Sequence, residues 1–293
     1  MEYEQNPVIT SALALEWHER SKTPKPTAQG TKFRFSSAYG CGRQQGYAAF
    51  EAEPTEPMDE AGAWVTGLGT LIHESVQEAI ARKFPSAQFE VASGDGVISG
   101  SCDALISTHD AGSTYGGTHV LWELKTMGTY SFDKQVGWNR MRGEFKKPEG
   151  PAQKAIAQAG MNALNIEAAN PDIRIESLIL GSITFESLSK QKADKMGVWG
   201  LNRFLAEFVI PRSEWEPLAQ AELERVHAFF YNVDNGYLPD RLALDDEGNL
   251  ITLNPDRSTN WQCEYCAFRT YCREDGPGQV YVMDSAISTK GDK

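Results

Sequence analysis

The chain is 293 residues long, 41% hydrophobic and 23% charged, which suits a globular fold with one large core or a core plus a small accessory domain. No run approaches the roughly 20 apolar residues of a membrane helix, and collagen-like, coiled-coil and wholly disordered forms fail on glycine content, heptads and apolar fraction. A formal net charge of −12 argues against a general nucleic-acid coat protein but leaves a local basic groove open.

Met1-Glu2-Tyr3-Glu4-Gln5 is acidic and polar, which predicts no secretory signal. Residues 1–30 lack periodicity, and Ser21-Lys22-Thr23-Pro24-Lys25-Pro26 reads as a flexible lead-in. Gly67 to Phe84 fits a helix whose apolar stripe is Leu71, Ile72, Val76, Ala79 and Ile80. Extended runs follow at Gln88–Ala92, Val97–Ser107 and His119–Thr126, and the glycine-rich Asp110–Thr118 joins the last two as a hairpin connection. Residues 151–166 read as a helix, then Ser177–Phe185 and Leu205–Ile210 as strands. A helix after Pro211 runs to about Val233, with Ser213 and Glu216 as its predicted capping box and Gly236 past its end. The order of helix, three strands, helix, strands and helix predicts an α/β or α+β core rather than a bundle or a sandwich, with one domain over 31–275 and a tail over 276–293.

Five cysteines, an odd number without a secretion signal, argue against a disulfide framework and for a reducing cytoplasm. Cys263-Glu264-Tyr265-Cys266 followed by Cys272 packs three thiols into ten residues, a spacing that points to a metal site. Tetrahedral zinc and a cubane cluster each need a fourth ligand. Cys41 is the candidate, because Cys102 is committed to a strand. Spacing alone leaves zinc and iron–sulfur both open. Joining residue 41 to 263–272 would close a loop over almost the whole core.

A second constellation is built from carboxylates and a lysine. In Val120-Leu121-Trp122-Glu123-Leu124-Lys125-Thr126, Glu123 and Lys125 share one strand face. Such a pair suits phosphodiester hydrolysis, the carboxylate holding a divalent cation and the lysine orienting water and offsetting charge. Alone the pair is weak, since composition supplies about one Glu-x-Lys by chance. Asp103 sits alone inside the uncharged run Gly96–Ile106, and a buried carboxylate must be paired or bind a metal; a turn cap or an arginine partner is the bland alternative. His73 becomes a third ligand only if its helix packs over these strands, and imidazole suits Mn²⁺ better than Mg²⁺. Gln158 is either solvated or a hydrogen-bonding group for a phosphate or the attacking water.

The order Cys41, His73, Gly100-Ser101-Cys102-Asp103, Glu123-Leu124-Lys125, Gln158, Cys263, Cys266, Cys272 resembles the RecB-like branch of the PD-(D/E)xK nucleases. Within it, the chain is similar to the four-cysteine iron–sulfur exonucleases: the CRISPR-associated family, its phage relatives and the AddB nuclease domain. The resemblance spans residues 41–272. It implies a restriction-endonuclease-like core, a mixed central sheet flanked by helices, with an iron–sulfur staple joining N- and C-terminal segments. It implies a structural [4Fe–4S] cluster on Cys41, Cys263, Cys266 and Cys272, with Mn²⁺ or Mg²⁺ on His73, Asp103 and Glu123. Lys125, Glu123, Asp103 and Gln158 would be the catalytic set of a DNA exonuclease, commonly 5′ to 3′ on single strands. The pattern departs at Asn162, where the family usually has tyrosine.

Lys125 to Lys154 holds seven basic residues (Lys125, Lys134, Arg140, Arg142, Lys146, Lys147, Lys154) against three acidic (Asp133, Glu144, Glu149). Tyr130, Phe132, Trp138 and Phe145 interleave with them, so the stretch 130–154 reads either as a single-strand DNA groove or as a solvated basic loop. Expected partners are DNA, and a second copy or a recombination or CRISPR-adaptation protein, in the cytoplasm of a bacterial or phage-infected cell. The rival reading is a catalytically silent iron–sulfur adaptor of the same fold.

Overall fold

The structure, a computed structural model, describes residues 33–56, 58, 60–139, 141–186, 188–197, 200–256 and 260–275. The expected lead-in (1–30), the tail (276–293) and Arg140 lie outside the described residues. In chain order the elements are β1 (Phe33–Arg34), α1 (Gly42–Ala49), α2 (Glu60–Lys83), β2 (Gln88–Gly94), β3 (Ile98–Ser107), α3 (Thr108–Ala111) and β4 (His119–Met127). Next come α4 (Thr129–Gln135), β5 (Trp138–Asn139), β6 (Glu144–Phe145), α5 (Gln153–Ala169), β7 (Ile175–Thr184), α6 (Lys190–Met196) and β8 (Leu205–Pro211). The chain continues through α7 (Arg212–Asp234), β9 (Leu242–Leu244), β10 (Leu250–Thr252), α8 (Trp261–Glu264) and α9 (Arg269–Glu274).

A central mixed sheet runs β1-β3-β4-β7-β8, with β2 also paired to β3. β4 and β7 are parallel, and β3–β4 and β7–β8 are antiparallel. This is an α/β core, one of the two classes the element order allows, with the mixed central sheet and flanking helices that the resemblance implies. On one face Leu105, Leu121, Leu178 and Leu180 pack with Ala157 and Met161 of α5 and with Trp215, Ala219 and Val226 of α7. The two helices cross closely, because a Cβ on Gly160 would stand 2.8 Å from the Cβ of Ala219. On the other face Ala104, Ile106, Val120, Trp122 and Leu124 receive Ile72, Val76 and Ile80 of α2. Those are three of the five expected stripe residues, and they put α2 over the strands that carry the carboxylates; Leu71 and Ala79 face outward and are exposed.

Two boundaries differ from expectation. α2 begins at Glu60 rather than Gly67, since Ala61 and Ala63 extend the helix and Ala63 is buried. The Ser213/Glu216 capping box does not form: α7 starts at Arg212 with Pro211 as its cap residue. Arg212 captures Glu216 at 2.6 Å and Glu167 of α5 at 2.8 Å, and a partly buried guanidinium–carboxylate bond outcompetes a box at an exposed helix end. Among the described residues no helix is long and apolar enough to cross a membrane.

The β2–β3 turn is pinned to α7 by Asp95. Its carboxylate accepts from the amides of Val97 (2.9 Å) and Ile98 (3.0 Å) and bonds His227 Nε2 at 2.7 Å. Burial opposes ionisation, but the two amides and His227 outweigh it and hold this carboxyl below its usual value of 3.8. The folded state therefore binds this proton more weakly than the unfolded chain, so the stabilisation is complete above about pH 4 and is lost as the pH falls further. Urea unfolding should show Asp95→Asn less stable than wild type at neutral pH, the gap closing in acid; a gap independent of pH would refute this role.

Candidate active site and cysteine cavity

The β3–β4 ladder ends at the pair Ala104–Trp122. One residue further the backbone partners are side chains. The Leu124 amide donates to Asp103 Oδ2 at 2.6 Å, and the Asp103 amide donates to Glu123 Oε2 at 3.4 Å. On the opposite edge β2 keeps its register but skips the pair between Glu90 and Asp103, and Glu90 adopts φ 48°. Gln77 Nε2 of α2 donates to the Asp103 carbonyl (3.2 Å) and to Glu90 Oε1 (3.0 Å), and Ser101 Oγ donates to Glu90 Oε2 at 2.8 Å.

The remaining members arrive from both faces. His73 Nδ1 of α2 lies 3.2 Å from Asp103 Oδ1. Glu123 Oε1 accepts from Lys125 Nζ and from Gln158 Nε2, both at 2.9 Å, while Gln158 Oε1 takes a second bond from Lys125 Nζ at 3.0 Å. Thus the Gln158 amide braces both the lysine and the glutamate. His73, Asp103, Glu123, Lys125 and Gln158 line one open cavity, together with Arg34, Ser36 and Glu90. Sequence reasoning missed these last three. Arg34 and Ser36 enter through β1 and the turn after it, and Glu90 through an interrupted ladder, none of which leaves a sequence signal.

Electrostatics separate the two carboxylates. Burial raises the Asp103 carboxyl, but His73, the Leu124 amide and Lys125 more than reverse it and hold it low. Glu123 is 3% exposed; burial pushes its carboxyl up, and Asp103 adds to this against the opposing Lys125. Two unlike carboxylates and an imidazole on the wall of this cavity form a mixed oxygen–nitrogen donor set suited to a divalent cation. Among the described residues no three or more His, Cys, Asp or Glu side chains are already closed on a common point as a metal site. The carboxylates are instead occupied by one another's amides, His73, Lys125 and Gln158.

Asn162, one turn beyond Gln158, is fully buried. It accepts from Ser93 Oγ at 3.1 Å and donates to the Ser101 carbonyl at 3.2 Å, tying α5 to β2 and β3. One turn before Gln158, Lys154 is half-buried, and burial together with the charge of Lys125 lowers its ammonium's proton affinity.

The four remaining cysteines of interest share another cavity. Cys41 precedes α1, Cys263 lies on α8, Cys266 in the turn after it and Cys272 on α9; all four line one small cavity with Arg241 and Arg269. All five cysteines are free thiols. Burial pushes Cys41 up to about 11 and Cys266 up to about 12. Cys102 is fully buried in the sheet, away from this cavity. The segment Arg34–Cys41 therefore touches both cavities, Arg34 and Ser36 at the first and Cys41 at the second.

The basic stretch divides. Tyr130 and Phe145 are exposed, but Phe132 and Trp138 are buried, which removes two of the four expected stacking rings. Trp138 lies between two α6 lysines, Lys192 at 5.5 Å and Lys195 at 5.7 Å from its ring centre. Tyr130, Lys134, Trp138, Lys146 and Lys147 line a third, open cavity.

No protein-family model and no curated protein matches the sequence. Among solved structures, the chain is similar to a phage-related exonuclease from Haemophilus somnus 129PT, at 11% identity over 70% of this chain and 94% of that one, with a TM-score of 0.34. At that distance the likeness says nothing about the chemistry of this chain.

Asn162→Ala should strand the Ser93 hydroxyl and the Ser101 carbonyl and cost about 1–2 kcal/mol. A urea midpoint unchanged from wild type would show that these bonds do not brace the site.

Proposed function

We propose that this chain is a divalent-cation-dependent nuclease that hydrolyses DNA phosphodiesters. The observation that carries the reading is the convergence of Asp103, Glu123, Lys125 and His73 on one cavity, from two strands and a helix distant in sequence. His73, Asp103 and Glu123 would hold Mn²⁺ or Mg²⁺. When bound, such a cation lowers the pKa of a water and neutralises charge developing on the phosphoryl group. The chain's own residues do the rest. Lys125, oriented by Glu123 and Gln158, directs its ammonium at the attacking water and the developing negative charge. Gln158 fixes both the lysine and the glutamate. Arg34 stands exposed at the cavity, where a guanidinium suits a phosphate of the bound strand.

The stretch 130–154, with Lys134, Lys146, Lys147 and exposed Tyr130, supplies the phosphate track and stacking surface of a single strand. Exonuclease action and 5′ to 3′ polarity follow from the resemblance to the four-cysteine exonucleases, as does a setting in the bacterial or phage-infected cytoplasm. Cys41, Cys263, Cys266 and Cys272 would hold a structural [4Fe–4S] cluster. Four thiol donors at one cavity suit it, and Arg241 and Arg269 stand by to offset the charge of a thiolate-bound cluster.

End-labelled single- and double-stranded DNA should be digested with Mn²⁺ and spared in EDTA, and Asp103→Ala or Lys125→Ala should lower the rate by about 10³-fold or more. Undiminished digestion by either variant, or none by wild type with any divalent cation, would remove the enzyme reading; the second result would favour a silent adaptor. Anaerobically purified protein should be brown and lose its thiolate-to-iron absorbance in Cys41→Ser but keep it in Cys102→Ser. A colourless zinc protein would eliminate the cluster.

A further inference from the structure

The backbone leading into Cys41 is gripped by α7. Glu222 Oε1 accepts the Tyr39 amide at 2.8 Å. Arg225 clasps the same carboxylate through bonds of 2.6 and 2.7 Å and donates to the Gly40 carbonyl at 3.3 Å. Glu222 is 1% exposed. A buried carboxylate–guanidinium pair adds little net stability over an apolar replacement, so its worth lies in the conformation it specifies.

That conformation is an unfavourable one. Tyr39 has φ 61°, in the left-handed region that L-residues avoid. It is held by several bonds at once: its amide by Glu222, its carbonyl by the Leu244 amide (3.2 Å) and its hydroxyl by Gln153 Oε1 (3.2 Å). Just past Cys41, a Cβ on Gly42 would lie 2.7 Å from the Phe229 ring, on which the Arg225 guanidinium stacks at 4.7 Å. The cysteine is thus bracketed on both sides by one face of α7, through Glu222, Arg225 and Phe229. The other three cysteines sit together within ten residues and need no such grip from afar.

We propose that Glu222 is a positioning residue for Cys41: the Glu222–Arg225 pair sets the thiol at the shared cavity and governs how firmly the four-cysteine site keeps its metal group. The inference deepens the cluster reading and rests on it.

The test uses anaerobically purified full-length protein and reads iron per chain, the half-life of the thiolate-to-iron absorbance under a chelator, and the thermal melt. Glu222→Ala should shorten that half-life by about 10-fold or more, the range found for groups that orient metal ligands. Glu222→Gln keeps an oxygen acceptor for the Tyr39 amide and should retain more of the cluster than Glu222→Ala. Arg225→Lys, which cannot serve Glu222 and Gly40 in the same fork geometry, should shorten the half-life at unchanged helical content. Should Glu222→Ala fail to fold, Glu222→Gln and Arg225→Lys decide by the same readouts. Variants that melt lower yet hold iron as long as wild type would overturn the positioning role and leave the cluster reading intact. Wild-type protein without iron would instead fail the cluster reading, and this inference with it.

Discussion

The site depends on Asp103 being withdrawn from both of its strand ladders. A residue in the middle of a sheet normally spends its amide and carbonyl on its neighbours. Here the amide goes to Glu123, the carbonyl to Gln77 and the carboxylate to the Leu124 amide and His73. The ladder bonds lost between β3 and β4 are replaced by two carboxylates reaching across the gap, and the gap is the cavity. The same substitution forces Glu90 into a left-handed backbone on the opposite edge. Strain of this kind persists only where surrounding structure over-determines it, and here α2, α5 and two strands do so.

A second constraint links the cavity to the cysteines. Cys41 belongs to a segment whose earlier residues, Arg34 and Ser36, wall the first cavity. Phe35, between them, is buried, and Gly100 is glycine because a Cβ there would lie 2.7 Å from the Phe35 ring. The Gly100-Ser101-Cys102-Asp103 run thus owes its first residue to packing rather than chemistry. Fixing the segment at Cys41 also fixes where Arg34 and Ser36 meet that cavity.

What was legible in the sequence was what periodicity and charge cost make visible. Ile72, Val76 and Ile80 of the α2 stripe, the alternation that puts Glu123 and Lys125 on one face, and the oddity of Asp103 in an uncharged run all correspond to the structure, while Leu71 and Ala79 of that stripe are exposed. What was hidden depends on which of two competing bonds wins. The Ser213/Glu216 capping pattern was present, but Arg212 offered Glu216 a stronger partner. Trp138 lay in a basic stretch and read as a stacking ring, but lysines from α6, more than fifty residues on, cover it. Glu90 and Glu222 carried no signal at all, because their roles arise from an interrupted ladder and from a contact between segments 183 residues apart.

The acidic balance of the chain also takes on a different meaning. A net charge of −12 repels a polyanion only over distances that salt does not screen, about 8 Å at physiological ionic strength. Within that range the composition of the local wall decides. Around the third cavity Lys134, Lys146 and Lys147 face Asp133, which is buried and bonded to Lys192, and Glu149, which sits 3.8 Å from Lys134. Lys146 and Lys147 are exposed, so at short range the solvent side of this wall is cationic, and the acidic remainder of the surface acts on it only through screening water.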